Sequence, residues 1–403
     1  MSTFDAATGT GGLDASLMFE LERPENIGSA FNNTFAAMWD FLTPRSSVSD
    51  LLALSVVAAA AACDGPKIPF RAGRIDATEA GPAGVPKPED DLESTRQTFK
   101  RAGFNDEDMI TMVACGHSLG NIHSVDFPEM VAGETSEENI AHFDTSPTNF
   151  DNAVVTEYLE NETANPLVVG VNDTMNSDKR IFGSDGNATM SSLSDPVTFK
   201  SKCTRIFERM IDTVPAVPRR SRARSRGGQS YGFWGNTFTW FEFSRSINAS
   251  TGISNFNILL KTPSTGTAFI LDNSNTGGYP VDSDLLYQQT DSCVTGTGTT
   301  RDLSLVIALR KELAGGSTQP LLHLAHRVAR PGVLLPRLEV ESVPFLPVPG
   351  LEKSGFQYFR ANATLDASGW STTFDITMED SSAGGKHELG LLKTSVLSGT
   401  CTV

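Results

Sequence analysis

The 403-residue chain lacks any apolar run long enough to cross a bilayer; the longest, 51–62, suits a buried helix better. Positive charge is also in short supply. Lys and Arg total 32 against 48 Asp and Glu, a formal net charge of −16. That balance excludes a general nucleic-acid partner, which calls for a basic surface. Cysteines number five (Cys63, Cys115, Cys203, Cys293, Cys401), with no CxxC pair, so a structural zinc site is not expected. The odd count leaves at least one thiol without a partner in the chain. No signal peptide is expected at Met1. What remains is ordinary for a globular protein. Hydrophobic residues make up 39% and charged residues 20%, and the length suffices for two or three domains with real cores.

The most informative stretch is 105–120. Asn105 reads as a helix N-cap, and Asp106, Glu107 and Asp108 follow it where the positive end of the helix dipole favours acids. Asp108, three residues after the cap, approaches a capping box. Met109, Ile110, Met112 and Val113 recur at helical spacing, and His117 falls on the same stripe as Ile110 and Val113. Gly116 and Gly120 leave room beside it for a flat body. By itself His117 reads more readily as a core histidine bonded to a carbonyl than as a ligand. Helices are also predicted over 49–62, ended by Cys63-Asp64-Gly65-Pro66, over 91–102 and over about 194–213.

The run Val113-Ala114-Cys115-Gly116-His117-Ser118-Leu119-Gly120 resembles the proximal-histidine motif of the plant and fungal haem peroxidase superfamily. The resemblance implies that His117 is the axial ligand of haem iron and Ser118 a calcium ligand. Four further segments resemble the family in the right order. Gly12-Leu13-Asp14-Ala15-Ser16 resembles its distal calcium loop, implying ligands from Gly12, Asp14 and Ser16. The order helix, Cys63, proline, Gly73-Arg74-Ile75-Asp76 resembles the extended segment that follows one of its helices. The segment from Phe143 to Asn152 resembles its proximal calcium loop, implying Ser118, Asp144, Ser146, the Asn149 carbonyl and Asp151 as ligands, with Phe143 behind the histidine. Arg180-Ile181-Phe182-Gly183-Ser184-Asp185-Gly186 resembles the segment with the proximal aspartate, implying that Asp185 accepts the other ring N–H of His117. In the family the distal helix, with its arginine and histidine, precedes the distal calcium loop. This chain starts where that helix would end. The resemblance therefore implies an N-terminally truncated member without distal catalytic residues, with an incomplete distal calcium site, and with Cys63 separated from the partner it has in related fungal enzymes.

The resemblance covers 1–214, a mainly α haem-peroxidase domain. Residues 215–229, with a basic run over 219–226, read as a solvated linker. Residues 230–403 read as a β-rich, sandwich-like domain, with strands over 233–243, 256–261, 268–271, 303–310, 356–365 and 370–378. This part has no cluster of acids, His or Cys at catalytic spacing. His323 and His326 read as core or surface rather than metal ligands. Cys293 and Cys401 suit a disulfide between strands, whereas Cys115 reads either as a partner of Cys203 or as a buried thiol.

The expected function is that of a haem-dependent peroxidase, an oxidoreductase that reduces hydrogen peroxide while oxidising a small organic donor. The expected cofactors are haem b and calcium at two sites. The alternatives are a non-catalytic haem- and calcium-binding protein, or a binder of cell-wall polysaccharide through exposed aromatics such as Trp234 and Trp240. Sequons at Asn32, Asn161, Asn172, Asn187, Asn248 and Asn362 favour a secreted or cell-wall-associated fungal glycoprotein, with a role in the response to oxidative stress.

Overall fold

A computed structural model describes residues 3–215, 255–261, 268–272, 277–280, 284–314, 319–368, 370–380 and 385–401. The linker after Pro215, the basic run, Trp234, Trp240 and Asn248 lie outside them. The chain divides into two compact units, one helical and one β-rich.

The helical unit runs through α1 (Ala30–Met38), α2 (Val48–Ala62), α3 (Leu92–Arg101), α4 (Asp106–Gly116), β1 (Asn121–His123), β2 (Ile140–His142), α5 (Ala153–Glu160), α6 (Pro166–Val169), α7 (Ser177–Phe182), α8 (Ala188–Leu193) and α9 (Pro196–Ile211). Helix starts follow the capping residues. Ser47, Asp91 and Asp195 each accept a hydrogen bond from a first-turn amide of α2, α3 and α9. Asn105 and Asp108 exchange both bonds of a capping box at α4. α4 packs against α3, α7, α8 and α9, with Met109, Ile110, Ala114 and Cys115 in a core that also holds Phe150, Phe182 and Phe199. A Cys115–Cys203 disulfide ties α4 to α9, and Cys63 is a free thiol.

The Gly73-Arg74-Ile75-Asp76 segment acts as a clamp on α2. The Asp76 carboxylate accepts from the amides of Val48 and Ser49, both at 2.8 Å, and so covers donors that a helix start leaves open. Asp50 in turn accepts from the Gly73 and Arg74 amides and pairs with the buried Arg74 guanidinium at 3.0 Å. Gly73 has φ +113°, a conformation that side-chain-bearing residues rarely adopt. α2 itself departs from the expected buried helix. Ala53 and Ala60 are buried, but Leu51, Leu52, Val56 and Val57 are half-buried and Leu54 is exposed. Its apolar residues ring the whole helix, so no single packed face takes them all.

The β-rich unit contains β3 (Asn255–Phe256), β4 (Ile258–Lys261), β5 (Ala268–Leu271), β6 (Tyr279–Pro280), β7 (Leu285–Tyr287), β8 (Cys293–Thr295), β9 (Thr300–Arg310), β10 (Leu321–Arg330), β11 (Val333–Pro344), β12 (Leu346–Lys353), β13 (Phe356–Asp366), β14 (Thr373–Asp380) and β15 (Gly385–Lys393). Two sheets dominate, one ordered β11-β10-β14-β15 and the other β12-β13-β9-β7 with β8 also on β9. Alternation explains the sandwich. Leu303, Leu305, Ile307 and Leu309 of β9, Leu322 and Leu324 of β10, and Phe374, Ile376 and Met378 of β14 all enter one core. A Cys293–Cys401 disulfide joins β8 to the C-terminal segment.

Candidate proximal haem site

His117 is the C-cap of α4, and its amide donates to the Val113 carbonyl at 2.9 Å. The β1–β2 hairpin then turns the chain back. Asn121 pairs with His142, which returns Phe143 to the histidine four residues before β1. The Phe143 ring stacks on the His117 ring at 4.3 Å between centroids and 11° between planes. Gly116 has open space beside it, as the spacing suggested.

The other side of the imidazole is held by Asp178. His117 Nδ1 lies 2.7 Å from Asp178 Oδ2, and Asn165 Nδ2 donates to the same oxygen at 2.9 Å. Asn165 is itself fixed as the cap of α6, where its side-chain oxygen accepts from the Leu167 amide at 2.8 Å. Carboxylate oxygens only accept here, so Nδ1 carries the proton, and in the neutral ring Nε2 presents its lone pair. No described protein group hydrogen-bonds Nε2. The Asp178 side chain is 1% exposed and that of His117 29%. Burial lowers the His117 pKa, but the charge and the hydrogen bond of Asp178 outweigh it, and the net shift is upward.

Asp178 is not the aspartate expected from the sequence. Asp185 lies in the turn between α7 and α8, where its Oδ2 accepts from the Thr189 amide at 2.9 Å and from the Thr189 hydroxyl at 2.6 Å. It satisfies a first-turn amide of α8, whose N-cap is Asn187, and makes no hydrogen bond to His117. The reason is position on the helix. Asp178 stands in the first turn of α7, the end that meets His117, while Asp185 follows its last turn. Ser184-Asp185-Gly186 forms a turn, as its composition favours. The useful signal was a carboxylate placed three and four residues before Ile181 and Phe182, which puts it on a buried helical face.

A cleft of about 270 Å³ opens against His117 and Asp178, with Pro86, Pro88, Phe99, Val113, Leu167 and Ile181 among its apolar lining. These residues fit an iron porphyrin. The imidazole is steered by a buried carboxylate, its second nitrogen is open, and the wall beside it is apolar.

The two loops expected to bind calcium differ. In the proximal loop Ser118 and Asp144 are buried, and neither Ser118 Oγ nor Asp144 Oδ2 has a partner among the described residues. Burial pushes the Asp144 carboxyl up to about 6; bonds from the Ser146 and Val154 amides oppose this, and the charges of Asp151 and Glu157 add to it. Ser146 Oγ donates to Asp151 Oδ1 at 2.9 Å, and Asn149 Nδ2 to Asp151 Oδ2 at 2.7 Å. Two orphaned buried oxygens beside a second carboxylate fit a hard cation. The distal loop offers no such pair. Asp14 Oδ1 accepts from the Ser16 amide at 3.1 Å, the Gly12 carbonyl accepts from the Asp14 amide at 3.1 Å, and no side-chain oxygen of Asp14 or Ser16 is buried without a partner. The distal residues alone do not fit a cation.

The remaining histidine candidates behave differently. His323 Nδ1 and Nε2 lie 2.9 Å and 2.8 Å from the Ser342 and Thr377 hydroxyls, and His326 Nε2 lies 2.8 Å from Glu341. Ser342 and Glu341 are adjacent on β11, so the two histidines point to opposite faces of the sheet and cannot share a metal. Among the described residues no three His, Cys, Asp or Glu side chains gather as a metal cage.

Comparison with known proteins agrees with this geometry. The family model described as peroxidase matches residues 3–200. A WSC domain-containing protein of Arthroderma benhamiae is 41% identical over 220 residues, covering 54% of this chain and 30% of the relative. L-ascorbate peroxidase 5, peroxisomal, of Arabidopsis thaliana is 34% identical over 163 residues, 40% of this chain and 54% of the relative. The mitochondrial cytochrome c peroxidase of Pyricularia oryzae is 37% identical over 132 residues, 30% of this chain and 35% of the relative. The chain thus spans about half or less of the length of these relatives. Residues 3–200, within the helical unit, thus match the peroxidase family, and the relatives matched include ascorbate and cytochrome c peroxidases.

Proposed function

We propose that the helical unit binds haem b through His117 and works as a peroxidase that takes hydrogen peroxide as acceptor and a small organic molecule as donor. The observation that carries this is the His117–Asp178 bond at 2.7 Å with Nε2 left open. When bound, haem would supply the redox-active iron that passes electrons to peroxide and regains them from the donor. The protein's own residues prepare that chemistry. Asp178 holds the proton on Nδ1 and makes the imidazole a stronger donor. Asn165 keeps the carboxylate in place, and Phe143 stops the ring from tilting. The cleft sets an apolar wall beside the ring. The acid–base residues that a peroxidase uses on the opposite haem face are assigned to no residue of this sequence.

Calcium at Ser118, Asp144, Ser146, Asn149 and Asp151 belongs to the same reading. It would fill the two orphaned oxygens and fix the residue next to His117. Secretion is supported by the exposed sequon residues Asn32, Asn161, Asn172 and Asn362 and by the two disulfides. Haem titration of the full chain tests the function. A Soret band that forms with the wild type and not with His117→Ala is the expected result; equal bands in both would refute the assignment.

A further inference from the structure

The loop that lines the His117 cleft carries an unused charge. Lys87 lines the cleft together with His117, between Pro86 and Pro88. The other ionisable groups of the lining are His117 and Asp178, and these are spent on each other. The Lys87 ammonium is exposed and has no partner among the described residues, unlike Lys179 and Lys202, which pair with Asp173 and Glu107. Its backbone, by contrast, is held. The Lys87 amide donates to Asp90 Oδ2 at 2.8 Å, and the Asp90 amide returns to the Lys87 carbonyl at 3.1 Å. Arg180 of α7 donates to the carbonyls of both Pro88 and Asp90. The flanking prolines restrict the backbone further. A lysine with no partner among the described residues, on a restrained backbone, thus lines a largely apolar cleft, in a chain of formal charge −16 where Glu89, Asp90 and Asp91 follow it directly.

We infer that Lys87 binds the carboxylate of an organic ligand at the mouth of the His117 cleft. The inference deepens the reading of that cleft given above and rests on it. The carboxylate can come from two sources, a porphyrin propionate or an acidic reductant. In either case the apolar body lies against the cleft wall and the carboxylate meets the ammonium.

The test uses the full chain as wild type, Lys87→Ala and Lys87→Arg. Each is titrated with haem, with haem dimethyl ester, and with 2-naphthoate in both the apo and the haem-loaded protein. At low salt Lys87→Ala is expected to weaken one carboxylate ligand by about threefold to fivefold, the size of an exposed ion pair. Lys87→Arg should restore the affinity, and high salt should erase the difference. A loss for haem but not for its diester identifies the propionate. A loss for naphthoate with haem unchanged identifies the reductant. Equal affinities of wild type and Lys87→Ala for haem and for naphthoate would overturn the inference. If the wild type gives no Soret band while the apo-protein binds naphthoate in a Lys87-dependent way, the haem reading fails and the cation site stands.

Discussion

His117 in the helical unit and His323 in the β-rich unit show what separates a candidate ligand from a structural histidine. Each is partly buried and each makes a short contact at Nδ1. His323 spends both nitrogens on hydroxyls, Ser342 on one side and Thr377 on the other. His117 spends one on a buried carboxylate and keeps the other. A ring with both nitrogens bonded must lose a bond to take a metal, and leaving a buried group unpaired costs about 1–3 kcal/mol. A ring with one nitrogen steered by a carboxylate has no such cost and a more basic free end. The lesson is that the open nitrogen, rather than the histidine, marks the site.

That contrast can be broken most directly at the histidines. His117→Ala should abolish the Soret band on haem titration, whereas His323→Ala should leave it intact; loss in both would dissolve the distinction. Calcium sharpens it next. If the proximal loop holds the ion, a hundredfold excess over the dissociation constant stabilises the helical unit by about 2.7 kcal/mol. Chelation should then lower the midpoint of the far-UV helical signal. The same treatment of Ser118→Ala should do much less, and an equal drop would place the ion elsewhere. Asp178→Ala should cost about 1–3 kcal/mol in denaturant unfolding, because the Asn165 amide and the His117 N–H lose their shared acceptor. It should also broaden the Soret band. Asp185→Ala should cost only about 1 kcal/mol, the worth of a helix cap, with the haem spectrum unchanged. A spectral change in Asp185→Ala alone would return the proximal role to that residue.

Much of the fold was legible because its signals are local. Asn105, Asp91 and the apolar period around Ile110 announced α3 and α4 within a residue or two of their observed ends. β-prone runs with turns between them announced β9, β13 and β14. β11 and β12 were not announced, since Pro336, Pro344, Pro347 and Pro349 argue against strands. Both are edge strands, where a missing N–H faces away from the ladder, so the prolines are tolerated. The half-exposed state of α2 was likewise hidden, because an alanine- and valine-rich helix looks the same whether or not something covers it.

By itself the sequence determined the helices and their caps, the two-layered β region, and the family motif around His117. Those depend on residues within a turn or a strand of one another. Only the tertiary structure decided that Asp178 rather than Asp185 steers the imidazole, that Phe143, expected behind the histidine, lies flat against its ring, and that Ser118 and Asp144 are left with open oxygens. These pairings join residues far apart in the chain, and the docking of α7 and the return of the β1–β2 hairpin set them. No local preference of either partner encodes that meeting.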